Sequence, residues 1–326
     1  MRPSTHVAFF DDSHGQSRWN ETGFPSRELH TNLAGICSLL QEIGYECQAT
    51  GESGFRTPLS SASLLVLPPP TGVYNATAES WKADRSALLT PQDILAITRF
   101  LDQGGSLLAF AYRFGDSFTQ SNLSQLFAAL GCLLNDDAVV NLDLIQTTHP
   151  LQSMLELPVE RLFFPGAGVQ RVVFRTSATF TLLPRANVVP IAVSPGGPCI
   201  TFNRTHRLVS FQSLPIGVAG SFGRGRFALF GGPHAFETGP LGLLDTADNT
   251  SFLRNILRWL QSGEAPDLQF GAAVWERLVS SDAEARWRQF TQIRDDPDGQ
   301  RSVRFVERLL RQSGLLKAMR RARWAT

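Results

Sequence analysis

Lysine is almost missing from this sequence: Lys82 and Lys317 are the two among 326 residues, so nearly all the positive charge is arginine. A GC-rich genome produces that bias, and it points to no particular chemistry. Cysteine is scarce as well. Cys37, Cys47, Cys132 and Cys199 stand singly in apolar or Gly/Pro surroundings without C-x-x-C spacing, which argues against a zinc cage or redox pair and for reduced, mostly buried thiols. No apolar run approaches the roughly 18 residues that cross a bilayer, and Met1 to Phe10 lacks the charged-then-apolar layout of a secretory signal. A soluble, cytoplasmic chain is expected. With 18% charged residues, 43% hydrophobic residues and a formal net charge of +1, the chain is neither a disordered polyelectrolyte nor a fibrous repeat. One large domain, or one domain with an appendage, fits this length.

The first hydrophobic run, His6 to Phe10, breaks into Asp11-Asp12-Ser13-His14-Gly15-Gln16, the pattern of a short buried strand entering a polar loop. Leu29, Leu33, Ile36, Leu40 and Ile43 recur every three or four positions and predict a helix closed by Gly44. Strands follow at Glu46 to Thr50 and Leu64 to Pro68; Pro68-Pro69-Pro70 stops the second, because proline has no N–H for the ladder. Thr71 to Leu89 reads as an irregular, exposed loop. Thr90-Pro91-Gln92-Asp93 supplies a cap, a first-turn proline and an acid for a helix through Ile94, Ile97, Phe100 and Leu101, which Gly104-Gly105 end. Ser106 to Ala111 is a fourth apolar strand, and a short helix is expected from about Asn122 to Leu130. Alternation of strand and helix predicts an α/β fold, a parallel sheet with helices on both faces.

Between Ala138 and Phe230 the pattern changes to short β-type runs: Arg171 to Phe174, Phe180 to Leu183, Val188 to Val193, Ile200 to Phe202 and Leu208 to Phe211. They predict an antiparallel or mixed extension of the sheet. Arg226 to Phe230 is again a buried-strand run, followed by Gly231-Gly232-Pro233-His234 and a helix from about Asn249 to Leu260. Beyond Gly263 the spacing of apolar residues predicts three amphipathic helices, with Ser281 and Glu284 as a capping box. Residues 264–300 carry eight acids against four arginines, and 301–326 carry eight basic residues against Glu307 alone. The expected organisation is an α/β domain over 1–263 and a C-terminal helical extension over 264–326.

The run Phe10-Asp11-Asp12-Ser13-His14-Gly15-Gln16, the later Gly104-Gly105-Ser106-Leu107-Leu108, the His149-Pro150 pair, Gly225-Arg226-Phe227-Ala228-Leu229-Phe230-Gly231, and Asp248-Asn249 before a helix ending Leu257-Arg258-Trp259-Leu260 occur in an order and spacing that resembles the GIFT-type domains. These are glutamine-amidotransferase-like domains of gliding-motility, ABC-transporter-associated and intraflagellar-transport proteins. The resemblance covers about residues 5 to 262. It implies a flavodoxin-like sheet whose ligand crevice lies at the strand carboxyl ends. True class I glutamine amidotransferases carry a cysteine on a sharp turn after a central strand and a His-x-Glu after a late one. Here Ser106 to Ala111 runs into Tyr112-Arg113-Phe114-Gly115 without a cysteine, and Ser117 lies further along. His234 and Glu237 resemble the histidine-acid end of the triad with one extra residue between them. Without a nucleophile that pair has nothing to deprotonate, so the thioester mechanism is not expected.

Candidate binding residues are Asp11, Asp12, Ser13, His14, Gln16, Tyr112, Arg113 and His234; candidate catalytic residues are His14, His234 and Glu237. For His14 two readings stand side by side. It acts as a general base or metal ligand, its ordinary pKa lying near 6.5, or the two acids brace the loop and the histidine closes it. No H-x-H or H-E-x-x-H spacing supports a metal, and a metal site would have to gather His14, His149, His234 and Asp248 from separate segments. His149 reads as turn bracing, Asp248 and Asn249 as a helix N-cap. Gly220 to Gly225 reads as a hairpin turn, since it precedes a strand and lacks the Walker lysine. Three functions follow. The first is a non-hydrolytic domain, without cofactor, that binds a small polar ligand or a protein partner, with 264–326 docking it into a larger assembly. The second is a hydrolase or lyase with His14 as base, assisted by Asp11 or Asp12 and His234. In the third, the basic tail 301–326 contacts nucleic acid or an anionic membrane surface.

Overall fold

The computed structural model describes residues 6–14, 33–50, 55, 58–70, 73–75, 80–82, 88–141, 154–162, 168–183, 186–195, 199–203, 208–210, 213–239 and 242–262. Gln16, His149, the Ser281/Glu284 capping box and the whole of 264–326 lie outside them. The fold is a mixed α/β arrangement around a seven-stranded sheet. Its strands are β1 (His6–Phe10), β2 (Tyr45–Ala49), β3 (Leu64–Leu67), β4 (Ser106–Phe110), β5 (Val188–Val193), β6 (Pro215–Phe222) and β7 (Gly225–Phe230), in the spatial order β5-β6-β7-β4-β3-β1-β2. From β7 to β2 the pairing is parallel. At the other edge β6 and β5 run antiparallel. The helices among the described residues are α1 (Ala34–Glu42), α2 (Pro91–Asp102), α3 (Gly115–Thr119), α4 (Leu123–Ala129) and α5 (Asn249–Ser262).

Successive strand residues point to opposite faces, and here both faces are covered, which is why the strands read as continuous apolar runs. Ala8, Phe10, Val66, Phe110 and Phe230 share one core with Ile36, Leu39 and Leu40 of α1 and Phe252, Ile256 and Leu260 of α5. Phe9, Leu65, Leu107 and Phe227 share the other with Ile97 and Phe100 of α2 and Leu126 and Phe127 of α4. Helix α2 starts at the expected capping box: Thr90 Oγ1 accepts the Asp93 N–H (3.2 Å) and Asp93 accepts the Thr90 N–H (2.8 Å). After α1, Gly44 adopts φ +92° and turns the chain into β2. Gly223-Arg224 forms the two-residue turn of the β6–β7 hairpin, as the glycine-rich run predicts.

The structure corrects the outline in three places. Thr71 to Leu89 is not wholly irregular, because Val73–Asn75 pairs antiparallel with Ser80–Lys82. Helix α3 is too short to leave a periodic signature. Of the short β runs, β5 and β6 extend the central sheet, while Arg171–Arg175 pairs with Met154–Pro158, Phe180–Leu182 with Cys132–Leu134, and Cys199–Asn203 with both Asp137–Asn141 and Leu208–Ser210. No helix among the described residues is long and apolar enough to cross a membrane.

One buried acid ties this β-rich part to the strand ends. Asp137 is 1% exposed, and its carboxylate accepts hydrogen bonds from the backbone N–H and the hydroxyl of Thr179, while its carbonyl accepts from the Phe114 N–H (2.7 Å). Burial pushes its pKa from 3.8 up to about 6, against those bonds and with the charge of Asp136 adding to the rise. A carboxyl pKa raised on folding favours the folded state below pH 3.8, and this advantage is lost as pH rises through about 6. The size is roughly 3 kcal/mol at 1.36 kcal/mol per pKa unit. Asp137→Asn should therefore flatten the fall in stability of the natural chain between pH 4 and 7, measured by urea denaturation at each pH; identical slopes for both proteins would contradict it.

Candidate functional site

The parallel pairing of β4 with β7 sets Phe110 opposite Phe230, so the segments leaving their carboxyl ends emerge side by side. The Ala111 N–H continues the ladder to the Phe230 carbonyl (2.7 Å). Tyr112 comes next on one side and Gly231-Gly232-Pro233-His234 on the other. A Cβ on Gly231 would lie 1.9 Å from the Ala178 carbonyl oxygen, so it is a backbone segment that the glycine admits here. The short turn His234–Phe236 is anchored by Phe236, whose ring meets those of Phe230 (4.7 Å), Phe110 (5.8 Å) and Phe174 (5.8 Å).

The Tyr112 hydroxyl lies 3.1 Å from His234 Nε2, and His234 Nδ1 bonds the Glu237 carboxylate. These three side chains form a continuous hydrogen-bonded chain. Tyr112 is 5% exposed, His234 7% and Glu237 3%. Phe118 stacks on the Tyr112 ring at 5.6 Å with 6° between planes, and the Arg113 guanidinium sits 5.1 Å from the same ring and 5.4 Å from Phe118. Glu237 Oε1 is buried without a hydrogen-bond partner among the described residues. Burial holds Arg175 below the usual guanidinium range, while the charges of Glu237 and Tyr112 oppose that shift. The bend after Tyr112 is sharp: Phe114 takes φ +61° and Gly115 φ +51°, a conformation costing a non-glycine residue about 1–2 kcal/mol. Full burial of the Phe114 ring offsets it. Ser117 lies within α3 and donates its hydroxyl to the Phe114 carbonyl (2.9 Å).

A second cluster closes the loop after β1. His14 Nδ1 is 2.8 Å from Asp11 Oδ2, and its Nε2 is 3.6 Å from Asp93 Oδ2 at the start of α2. Phe55 stacks on the imidazole at 5.1 Å. Ser13 donates its backbone N–H and hydroxyl to Asp11 Oδ1, and Thr50 at the end of β2 donates to both Asp11 (3.2 Å) and Asp12 (3.1 Å). Burial disfavours charge on His14 and on Asp11. Their mutual hydrogen bond and charge attraction, joined by the Ser13 bonds to Asp11 and by Asp93 beside His14, together outweigh it, holding Asp11 below its usual 3.8 and His14 above 6.5.

The two clusters are separate. β7 and β1 are divided by β4 and β3, so their ends stand about 14 Å apart at roughly 4.8 Å per strand. The assisting role expected of His234 toward His14 is therefore corrected. Among the described residues no three His, Cys, Asp or Glu side chains form a group suited to a metal ion. Asp248 occupies the expected N-cap position, its carbonyl accepting the Phe252 N–H (2.8 Å), but the side chains of Asp248 and Asn249 bond elsewhere. Asp248 accepts the N–H groups of Gln170 and Arg171 (both 2.9 Å). Asn249 is fully buried; its Oδ1 accepts the Val173 N–H (2.8 Å), and its Nδ2 reaches the carbonyls of Val173 (2.7 Å), Ala235 (3.0 Å) and Leu243 (2.9 Å). It clamps the residue next to His234. Sequence reasoning also missed Arg175, Phe118, Phe55 and Thr50, and gave Asp93 a capping role alone. All four cysteines are free.

No protein-family model matches the chain. It is 24% identical over 193 residues to the intraflagellar transport protein 52 homolog of mouse, a stretch that is 54% of this chain and 42% of that protein. The chain thus spans less than half the length of this curated relative. The solved N-terminal domain of intraflagellar transport protein 52 superposes with a TM-score of 0.57 at 18% identity, covering 80% of this chain and 99% of the domain. The fold is that of this N-terminal domain, and the two likenesses together support a GIFT-type domain.

Two outcomes test the geometry. The Asp11 contribution is present above pH 3.8 and lost as pH falls through its depressed pKa, whereas the His14 contribution is present below pH 6.5 and lost as pH rises through its elevated pKa. His14→Gln should thus remove part of the stability loss seen between pH 6.5 and 9 in thermal melts, and an unchanged pH profile would contradict the pairing. Asn249→Asp takes the amide donor from the Val173 and Ala235 carbonyls, while Leu243 keeps the Thr246 N–H, and should cost about 3 kcal/mol in urea denaturation, since unmet buried groups carry their full desolvation penalty. A loss under 1 kcal/mol would contradict the clamp.

Proposed function

We propose that this chain is a non-hydrolytic, glutamine-amidotransferase-like GIFT domain with a flavodoxin-like sheet, serving as a binding module for a protein partner in a larger assembly. The observation that carries this reading is the packed phenol of Tyr112 facing His234. A nucleophile must be free to approach a carbonyl carbon, and this hydroxyl sits on a ring stacked with Phe118, covered by Arg113 and hydrogen-bonded to the imidazole. The imidazole and Glu237 then hold Tyr112 in place, which makes the former catalytic apparatus a brace between β4 and β7. His14 presents its two ring nitrogens to carboxylates, which suits loop closure better than proton abstraction from a ligand. The relative's name, an intraflagellar transport protein, supports a role in an assembly, with contact to the partner assigned to 264–326.

Purified full chain incubated with glutamine or with p-nitrophenyl acetate should release ammonia or p-nitrophenol at the rate of His234→Ala, both equal to the protein-free rate. Turnover that disappears in His234→Ala, with the fold retained by circular dichroism, would overturn the proposal.

A further inference from the structure

The opposite edge of the sheet holds a cavity that neither cluster uses. Strands β1, β3, β4 and β7 begin there, and the space between their amino ends measures about 330 Å³, at the lower end of the range for small-molecule sites. Its polar lining includes His6, Tyr45, Ser63, Gln103, Arg226 and Gln261, and no carboxylate is among the described lining residues. Gly104-Gly105 contribute backbone to the lining.

Arg226, the second residue of β7, is the centre of this lining. Its Nη2 donates to the Leu260 carbonyl (3.1 Å), which also accepts the Ser106 hydroxyl (2.7 Å). Its Nε is buried without a hydrogen-bond partner, its Nη1 bonds nothing among the described residues, and no carboxylate pairs with it there. A half-buried guanidinium with no carboxylate partner among the described residues can receive an anion, and its planar group matches carboxylate or phosphate oxygens. Tyr45 lies beside it: burial, only partly opposed by Arg226, raises the phenol to about 12, so the hydroxyl stays a neutral donor at physiological pH. His6 meets the Ser63 hydroxyl through Nδ1 (3.3 Å), and Gln261 uses its amide nitrogen on the Ile43 carbonyl (3.1 Å), leaving its oxygen as an acceptor.

We infer that this amino-edge cavity is a binding site for a small oxyanion ligand, a carboxylate or a phosphate compound, held by Arg226 with Tyr45 and His6. The lining combines one strong cation, neutral donors and the amides of Gln103 and Gln261, which suits an anion carrying further polar groups. It lies beyond the Tyr112–His234–Glu237 cluster and is independent of whether that cluster is catalytic.

Inorganic phosphate and succinate serve as separate probes, titrated into the full chain at pH 7 and constant ionic strength with potassium chloride, by isothermal calorimetry and thermal melting. At least one probe should bind saturably at one site and raise the melting temperature, and the responding probe identifies the ligand class. Arg226→Gln should weaken that binding at least tenfold. Because Arg226 also holds Leu260, Tyr45→Phe provides the second variant, expected to keep the unliganded melting temperature and to bind several-fold more weakly. Absence of saturable binding by both probes, or binding unchanged in both variants, would overturn the inference.

Discussion

The parallel pairing of β4 with β7 is the constraint on which the rest depends. These strands lie more than a hundred residues apart in sequence, and their adjacency comes from the same both-face burial that makes each a continuous apolar run. Once they pair, the residues leaving their carboxyl ends must share one space. The chain fills it with a phenol, an imidazole and a carboxylate in hydrogen-bonded series. The supports are equally local to those strand ends. The Phe236 ring locks the histidine turn into the aromatic core, Asn249 clamps the carbonyl of Ala235, and Asp137 fixes both the Thr179 segment and the bend at Phe114.

Much of the central sheet was legible in the sequence because its signals are local. Five-residue apolar runs, a capping box at Thr90 and Asp93 and glycines at turns each act within a few residues. The motif order also pointed to the GIFT-type domain that the comparisons support. Less of the β-rich part was legible, since whether a short run joins the central sheet or pairs elsewhere depends on tertiary partners that periodicity does not encode.

The candidate site divides along the same line. His234 with Glu237 stood out as a sequence-local pair, and the loop after β1 announced its acids. The role of Tyr112 did not, because it exists only when β4 and β7 are neighbours. Asn249 illustrates the opposite failure: it occupies a position that reads as a helix cap, yet its amide faces inward to strand and turn carbonyls. His14 and His234 look like partners in a list of histidines, but two intervening strands keep them apart.

Two polar regions thus lie at opposite edges of one sheet, with the carboxyl edge closed by internal hydrogen bonds and the amino edge open around an uncompensated arginine. The central claim is that the side chain beside the imidazole is packed and unreactive. Acetylation by N-acetylimidazole, followed by peptide mass spectrometry, reads this directly, because the chain has three tyrosines. Tyr112 should remain unmodified in the folded chain and react once it is unfolded in urea; rapid modification of Tyr112 in the folded chain, abolished by His234→Ala, would contradict the account.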